Sequence, residues 1–174
     1  MAGRGDERAW VRGAQQGSAS DVEALFRLHW PRAYRAAYLV VHDAAAAEDI
    51  AQEAFLAAVR NLDRFDRRRP FGPWLHRIVV NRAIDWGRRE ALRRSAGDPE
   101  DQAASSHVDE PAAGELMPAL AQLPPEQRAV VVLRYLLEYT PGEIGRMLEL
   151  PRGTVNSRLR RGLDRLRELI EVEG

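Results

Sequence analysis

The chain has 174 residues, and its 26 basic side chains, all arginine, are balanced by 26 carboxylates, so the formal net charge is zero. With no cysteine there is no disulfide framework, thiolate metal site or cysteine nucleophile, and His29, His42, His76 and His107 are too scattered for metal-ligand spacing. No apolar run approaches the roughly 18 residues that cross a bilayer, and the charged N-terminus lacks the apolar stretch of a signal peptide. These absences point to a soluble protein of the reducing cytoplasm that uses no cofactor and no metal.

In chain order the pattern is helical, and the expected fold class is all-α. An amphipathic stretch from Asp6 to Gln16 ends at Gly17 and Ser18. Ser20-Asp-Val-Glu23 has capping-box spacing, with the Ser20 hydroxyl capping and Glu23 reaching back. Apolar positions at Val22, Leu25, Phe26, Tyr34, Ala37, Tyr38 and Val41 continue the helical period, and Pro31 predicts a kink or break among them. Asp43 caps a third helix to about Asn61, burying Ile50, Ala54, Phe55 and Ala58 and exposing Asp49, Gln52, Glu53 and Arg60. A loop, Asp63 to Phe71, carries Arg64, Arg67, Arg68 and Arg69. Gly72-Pro73 opens a fourth helix, which runs from Trp74 to about Arg94.

Charge is segmented behind the neutral total. Residues 21–59 sum to −3, residues 60–94 to +7, residues 95–116 to −6, and residues 117–174 to +1. The −6 stretch is punctuated by Gly and Pro and has too few apolar side chains to offset its ordering entropy. It reads as a flexible acidic linker at 95–116 between an N-terminal domain at 1–94 and a C-terminal domain at 117–174.

On the fourth helix Arg77, Asn81, Asp85 and Arg88 share a face. Together with the arginine loop, Trp74, Trp86, Phe65 and Phe71, that face suits single-stranded nucleic acid, since guanidinium pairs with phosphate and aromatic rings accept stacked bases. The plain alternative is a solvated arginine face over core aromatics, and at least two of the four rings must be core.

In the C-terminal half, Leu123-Pro-Pro-Glu126 opens a helix reaching Leu137. Thr140-Pro-Gly-Glu143 is a second capping box, Leu150-Pro-Arg-Gly153 turns the chain, and a last helix runs from about Thr154 to Glu171. Helix, tight turn, and a helix with Arg, Asn and Ser in its first turns is the layout of helix-turn-helix DNA readers. A wet α-hairpin is the alternative. A neutral chain gains little from counterion release, so tight grip on duplex DNA calls for a larger partner.

Four segments in order resemble the extracytoplasmic-function sigma factors of bacterial RNA polymerase. They are Ala47-Glu-Asp-Ile-Ala-Gln-Glu-Ala-Phe-Leu56, Pro70-Phe-Gly-Pro-Trp-Leu-His-Arg-Ile-Val-Val-Asn-Arg-Ala-Ile-Asp85, Leu123-Pro-Pro-Glu-Gln-Arg128, and Tyr139 to Arg161. The resemblance implies a region-two bundle at 1–94, a region-four helix-turn-helix at 117–174, and no bond chemistry. It implies that Asp49, Gln52 and Glu53 dock on the β′ clamp helices, with the β flap as a further polymerase contact. It assigns Arg64, Phe65, Arg68, Phe71, Trp74, Arg77, Asn81 and Arg88 to the opened minus-ten element. Arg152, Thr154, Asn156, Ser157, Arg158, Arg160 and Arg161 fall to the minus-thirty-five duplex, and Asn156 stands where relatives often carry Lys or Arg. Promoter DNA, core polymerase and an anti-sigma protein are the implied partners. The linker would thread toward the RNA exit path, or serve as a plain tether. Because the chain ends soon after the recognition helix, no C-terminal sensing domain is expected. The competing function is a stand-alone helix-turn-helix regulator on a palindromic site.

Overall fold

The computed structural model describes residues 4–97 and 116–173. Its elements are α1 (Arg4–Gln15), α2 (Ala19–Val41), α3 (Ala44–Arg60), a single 3-10 turn (Leu62–Arg64), α4 (Phe71–Ser95), α5 (Leu116–Ala121), α6 (Pro125–Tyr135), α7 (Pro141–Leu148) and α8 (Arg152–Glu173). Among the described residues there is no strand. The linker expected at 95–116 falls almost wholly outside them.

Helices α1 to α4 form one bundle around α2, and α5 to α8 form a second around α8. Small residues set the spacing of the first. Ala47, Ala51, Ala54 and Ala58 of α3 and Ala33, Ala36 and Ala37 of α2 are buried, so the backbones approach closely and Leu25, Phe55, Phe71, Leu75, Val79 and Val80 fill the gaps. In the second bundle Leu123, Val130, Leu133, Ile144 and Val155 are buried. One connected apolar cluster runs through both, and the bundles touch where α2 meets α5 and α6 and where α4 meets α6 and α7.

One local expectation is corrected and another is narrowed. The cap of α2 is Ser18, not Ser20: Ser18 is extended at φ −70° and its hydroxyl accepts from the Asp21 amide at 3.3 Å. Two hydroxyls compete with nearly equivalent spacing, and the turn after Gly13 places Ser18 at the boundary. Ser20 lies one residue inside the helix, bonded to Ser18 Oγ at 3.1 Å, and Glu23 pairs with Arg27 instead of reaching back. Of the kink or break expected at Pro31, the break does not occur, since α2 continues through it. Its ring is on the solvent side, where water can satisfy the Arg27 carbonyl. Leu25 before it and Ala33, Ala36, Ala37 and Val40 after it are all buried, which offsets a proline cost of about 3 kcal/mol. A ladder of stacked rings at i, i+4 spacing, Phe26, Trp30, Tyr34, Tyr38 and His42, spans the proline with centroids 4.8 to 6.3 Å apart.

The other caps follow the expectation. Asp43 Oδ1 accepts from the Ala46 amide at 2.7 Å. At α7 the Thr140 hydroxyl accepts from the Glu143 amide while the Glu143 carboxylate accepts from the Thr140 amide at 2.8 Å. Those bonds hold the Glu143 carboxyl below its ordinary range.

Candidate nucleic-acid and polymerase interface

Helix α3 has one apolar and one polar face. Asp49, Gln52 and Glu53 are all exposed, and Leu56, 52% exposed, stands one turn beyond them. Gln52 donates to Glu48 at 3.1 Å, and Glu53 pairs with Arg82 of α4 at 2.9 Å. A cleft of about 280 Å³ between the two helices is lined by Asp49, Glu53, Arg82, Asp85, Trp86 and Arg89. The acidic face is therefore continuous with α4, a neighbour that sequence spacing did not reveal.

The arginine loop rests on an aromatic platform. Phe65 and Phe71 are 7% and 1% exposed, with their rings packed edge-on at 5.9 Å. Phe71 also meets Phe55 and Trp74 edge-on, and Trp74 lies 4.6 Å from Phe65. This corrects the expectation for Phe65 and Phe71, because a ring sealed in the core offers no face to a base. Trp74 and Trp86 are half-buried, and Arg64 and Arg68 project from the platform into solvent. Arg68 donates to Asp66 at 3.0 Å, which lowers the Asp66 carboxyl and raises the guanidinium.

Two residues of α1 that sequence reasoning passed over brace this region. Gln15 of α1 donates to the carbonyls of Leu62 and Phe65 at 2.8 and 3.1 Å. Glu7 of α1 accepts from His29 Nε2 at 2.9 Å, and that bond is the main cause of its lowered carboxyl pKa, to which the nearby backbone of Phe71 and Gly72 adds. Pro70, at the N-cap of α4, has no side-chain hydrogen bond to give. Glu7 therefore places a negative charge from another helix at the positive end of α4. No local pattern signals this, as the partners are more than 60 residues apart.

On the α4 face Arg77 and Arg88 are exposed and Asn81 is half-buried. Both arginines are paired, Arg77 with Glu149 at 2.6 Å and Arg88 with Glu126 at 2.5 Å. Burial works to raise the Glu126 carboxyl, and the Arg88 hydrogen bond and the local charges outweigh it, leaving a net lowering.

In the second bundle α7 and α8 are joined by a turn in which Glu149 is left-handed at φ 56° and the Leu150 amide donates to the Gly145 carbonyl at 2.8 Å. A Cβ on Gly145 would lie 2.7 Å from the Leu150 carbonyl oxygen, so this close approach requires glycine. Val155, Leu159 and Leu166 turn inward from α8. Arg152, Asn156, Arg160 and Arg161 are exposed, and Thr154, Ser157 and Arg158 are half-exposed. Arg161 Nη2 donates to Ser157 Oγ at 3.0 Å, one turn back on the same face.

The fold and its polar faces define a two-bundle, all-helical DNA reader with a helix-turn-helix in its second half. The chain matches Sigma-70 region 2 over residues 25–93 and Sigma-70 region 4 over residues 119–168. It is 33% identical to the ECF RNA polymerase sigma factor SigW of Bacillus subtilis across 91% of each chain, and 33% identical to SigL of Mycobacterium tuberculosis across 95% of this chain and 98% of SigL. Its fold is shared with CnrH, solved in complex with the cytosolic domain of CnrY (24% identity, TM-score 0.71, 97% and 99% of the two chains). It is shared also with RpoE of Bartonella quintana, solved with the anti-sigma factor NepR (21% identity, TM-score 0.69, 90% and 100%). This chain belongs to the Sigma-70 family, in its ECF group: a non-enzymatic factor that directs RNA polymerase to promoters.

Proposed function

We propose that the chain divides that work among three surfaces, within the boundaries 1–94, 95–116 and 117–174. Asp49, Gln52 and Glu53, with Leu56 beside them, dock on the β′ clamp helices, where an acidic face with an apolar neighbour fits a basic coiled coil. Trp74, Arg64, Arg68, Arg77, Asn81 and Arg88 engage the opened minus-ten strand. The buried Phe65 and Phe71 hold the loop in place without touching a base. Helix α8 reads the minus-thirty-five duplex through Asn156, Arg160 and Arg161, with Arg152, Thr154, Ser157 and Arg158 near the backbone. Region four also meets the β flap.

The observation that carries this reading is the pattern on α8. Its apolar side is sealed by Val155, Leu159 and Leu166 while Asn156, Arg160 and Arg161 all face solvent, as a major-groove reader requires. Among the described residues no helix is long and apolar enough to cross a membrane. The place of work is the cytoplasm, beside the polymerase, and an anti-sigma protein is the regulator, the kind of partner with which RpoE of Bartonella quintana was solved. The test is run-off transcription by core RNA polymerase on sheared genomic DNA of the source organism, with and without the protein. Discrete transcripts that require it are expected. Tight palindromic binding without polymerase, and no transcripts, would replace this reading with a stand-alone regulator.

A further inference from the structure

A cavity of about 510 Å³ lies where α1, α2, the arginine loop and the start of α4 face the connection from α6 to α7. Its floor is apolar: Val11, Phe71 and Leu137 are all buried. Four arginines stand on its walls, Arg8 of α1, Arg32 of α2, and Arg67 and Arg69 of the loop, all of them exposed residues. The promoter assignments above use none of the four. Among the described residues none of their guanidinium groups forms an ion pair or a hydrogen bond. The two carboxylates on the same walls are taken, Glu7 by His29 at 2.9 Å and Glu143 by the Thr140 amide at 2.8 Å. Asp66 in the loop is taken by Arg68. His76 also lines the cavity and is 4% exposed. Its Nδ1 shares a 2.8 Å hydrogen bond with the Tyr139 hydroxyl, and its Nε2 is buried with no partner among the described residues. When the tyrosine donates, Nε2 carries the proton and is a buried donor that lacks an acceptor, which is rare in folded proteins. At Gly72 an added Cβ would lie 3.2 Å from His29 Cε1 and 3.9 Å from His76 Cε1, so glycine keeps this corner of the cavity open.

We propose that this cavity binds a small phosphorylated ligand of the nucleoside diphosphate class, with its phosphoryl oxygens on Arg8, Arg32, Arg67 and Arg69 and its ring body on the apolar floor. Four cations around one hollow, with every nearby carboxylate already paired, are balanced only by a multiply charged anion. The planar guanidinium fork matches phosphoryl oxygens bidentately, and the apolar floor beneath it lowers the local dielectric and strengthens the attraction. The volume falls in the range of roughly 300–1,000 Å³ typical of small-ligand pockets, so there is room for a body beyond the phosphates. His76 adds a neutral donor on the buried side. A nucleic-acid strand carries its phosphates along a surface, whereas these arginines ring a hollow with an apolar base, and that shape favours the small molecule.

Isothermal calorimetry on the full chain, with ADP as the titrant, should show a single site. Adenosine should give no binding heat, and inorganic pyrophosphate should bind more weakly than ADP. Arg32→Gln with Arg67→Gln should weaken ADP binding roughly tenfold or more. Both side chains are exposed and unpaired, so the substitutions leave the packing intact. Arg165→Gln with Arg167→Gln removes the same charge from α8, outside the cavity, and should leave ADP binding unchanged. No heat from ADP at millimolar concentration overturns the site. Equal weakening by the two pairs of substitutions also overturns it, since only a diffuse attraction to arginine would remain. Pyrophosphate binding as tightly as ADP overturns the nucleoside assignment. A thymidine oligonucleotide that binds through Arg32 and Arg67 while ADP does not would make the hollow a groove for strand phosphates and overturn the small-molecule site. The outcome is independent of the minus-ten reading, which uses other arginines.

Discussion

Acid should loosen the packing of the two bundles, and the amount follows from His76, buried where its Nδ1 shares a 2.8 Å hydrogen bond with the Tyr139 hydroxyl, and His42, half-buried where its Nε2 donates to the Met117 carbonyl at 3.1 Å. Burial lowers His76 to about 4 from an ordinary 6.5, helped by the charges of His29 and Arg32. His42 also falls to about 4, through burial first and then the neighbouring Arg128. A base whose folded pKa is depressed is held neutral. Its contribution is complete above pH 6.5 and is lost as the pH falls from 6.5 toward 4. Between pH 7.5 and pH 5.0 each histidine should cost roughly 2 kcal/mol, hence about 4 kcal/mol for the pair. The lowered carboxylates Glu7 and Glu126 titrate below their ordinary 4.5 and leave this window to the histidines. Urea denaturation followed by far-UV circular dichroism at the two pH values measures the difference. His76→Gln keeps a group that can bond to Tyr139 but cannot titrate, and should remove about half of the pH dependence. A wild-type loss below about 1 kcal/mol, or a His76→Gln slope equal to wild type, would refute the reasoning.

Other expectations are smaller in scope. Thr140→Ala removes both reciprocal bonds of the α7 capping box and should cost about 1 kcal/mol in the same denaturation assay. Gly145→Ala pushes a methyl group against the Leu150 carbonyl and should destabilise the helix-turn-helix by about 1–3 kcal/mol; hydrogen exchange across α7 and α8 would localise the loss. Arg161→Ala should weaken minus-thirty-five discrimination by about 1–3 kcal/mol in competition transcription, and an unaltered promoter profile would remove it from the reading set. Asp49→Arg with Glu53→Arg should abolish co-migration with core polymerase on a sizing column, and normal assembly would count against docking through α3.

The parts of this molecule that local chemistry decides were legible in the chain. Asp43 and Thr140 each sit three residues before an amide they cap, and the alternation of Val155 and Leu159 with Asn156 and Arg160 needs only the helical period. The competition between Ser18 and Ser20 was not legible, because both hydroxyls fit the same spacing and the geometry of the preceding turn chooses. Whether Pro31 breaks the helix was not legible for a related reason: its cost is visible locally, while the burial that offsets it comes from α3 and α4. Phe65 and Phe71 looked like base-stacking rings because an arginine-rich loop surrounds them, and only the position of Phe55 shows that they turn inward. The long-range polar contacts were hidden altogether. Glu7 with α4, Arg128 with the Val40 carbonyl and His76 with Tyr139 join residues more than 60 positions apart, and no period or motif connects them.

Gln15 and Glu7 make α1 a strut for the arginine loop, since Gln15 holds the carbonyls of Leu62 and Phe65, 47 and 50 positions away, and Glu7 stands at the start of α4. Whatever frays the first helix therefore loosens the loop as well, and the two ends of this bundle fail together rather than in turn.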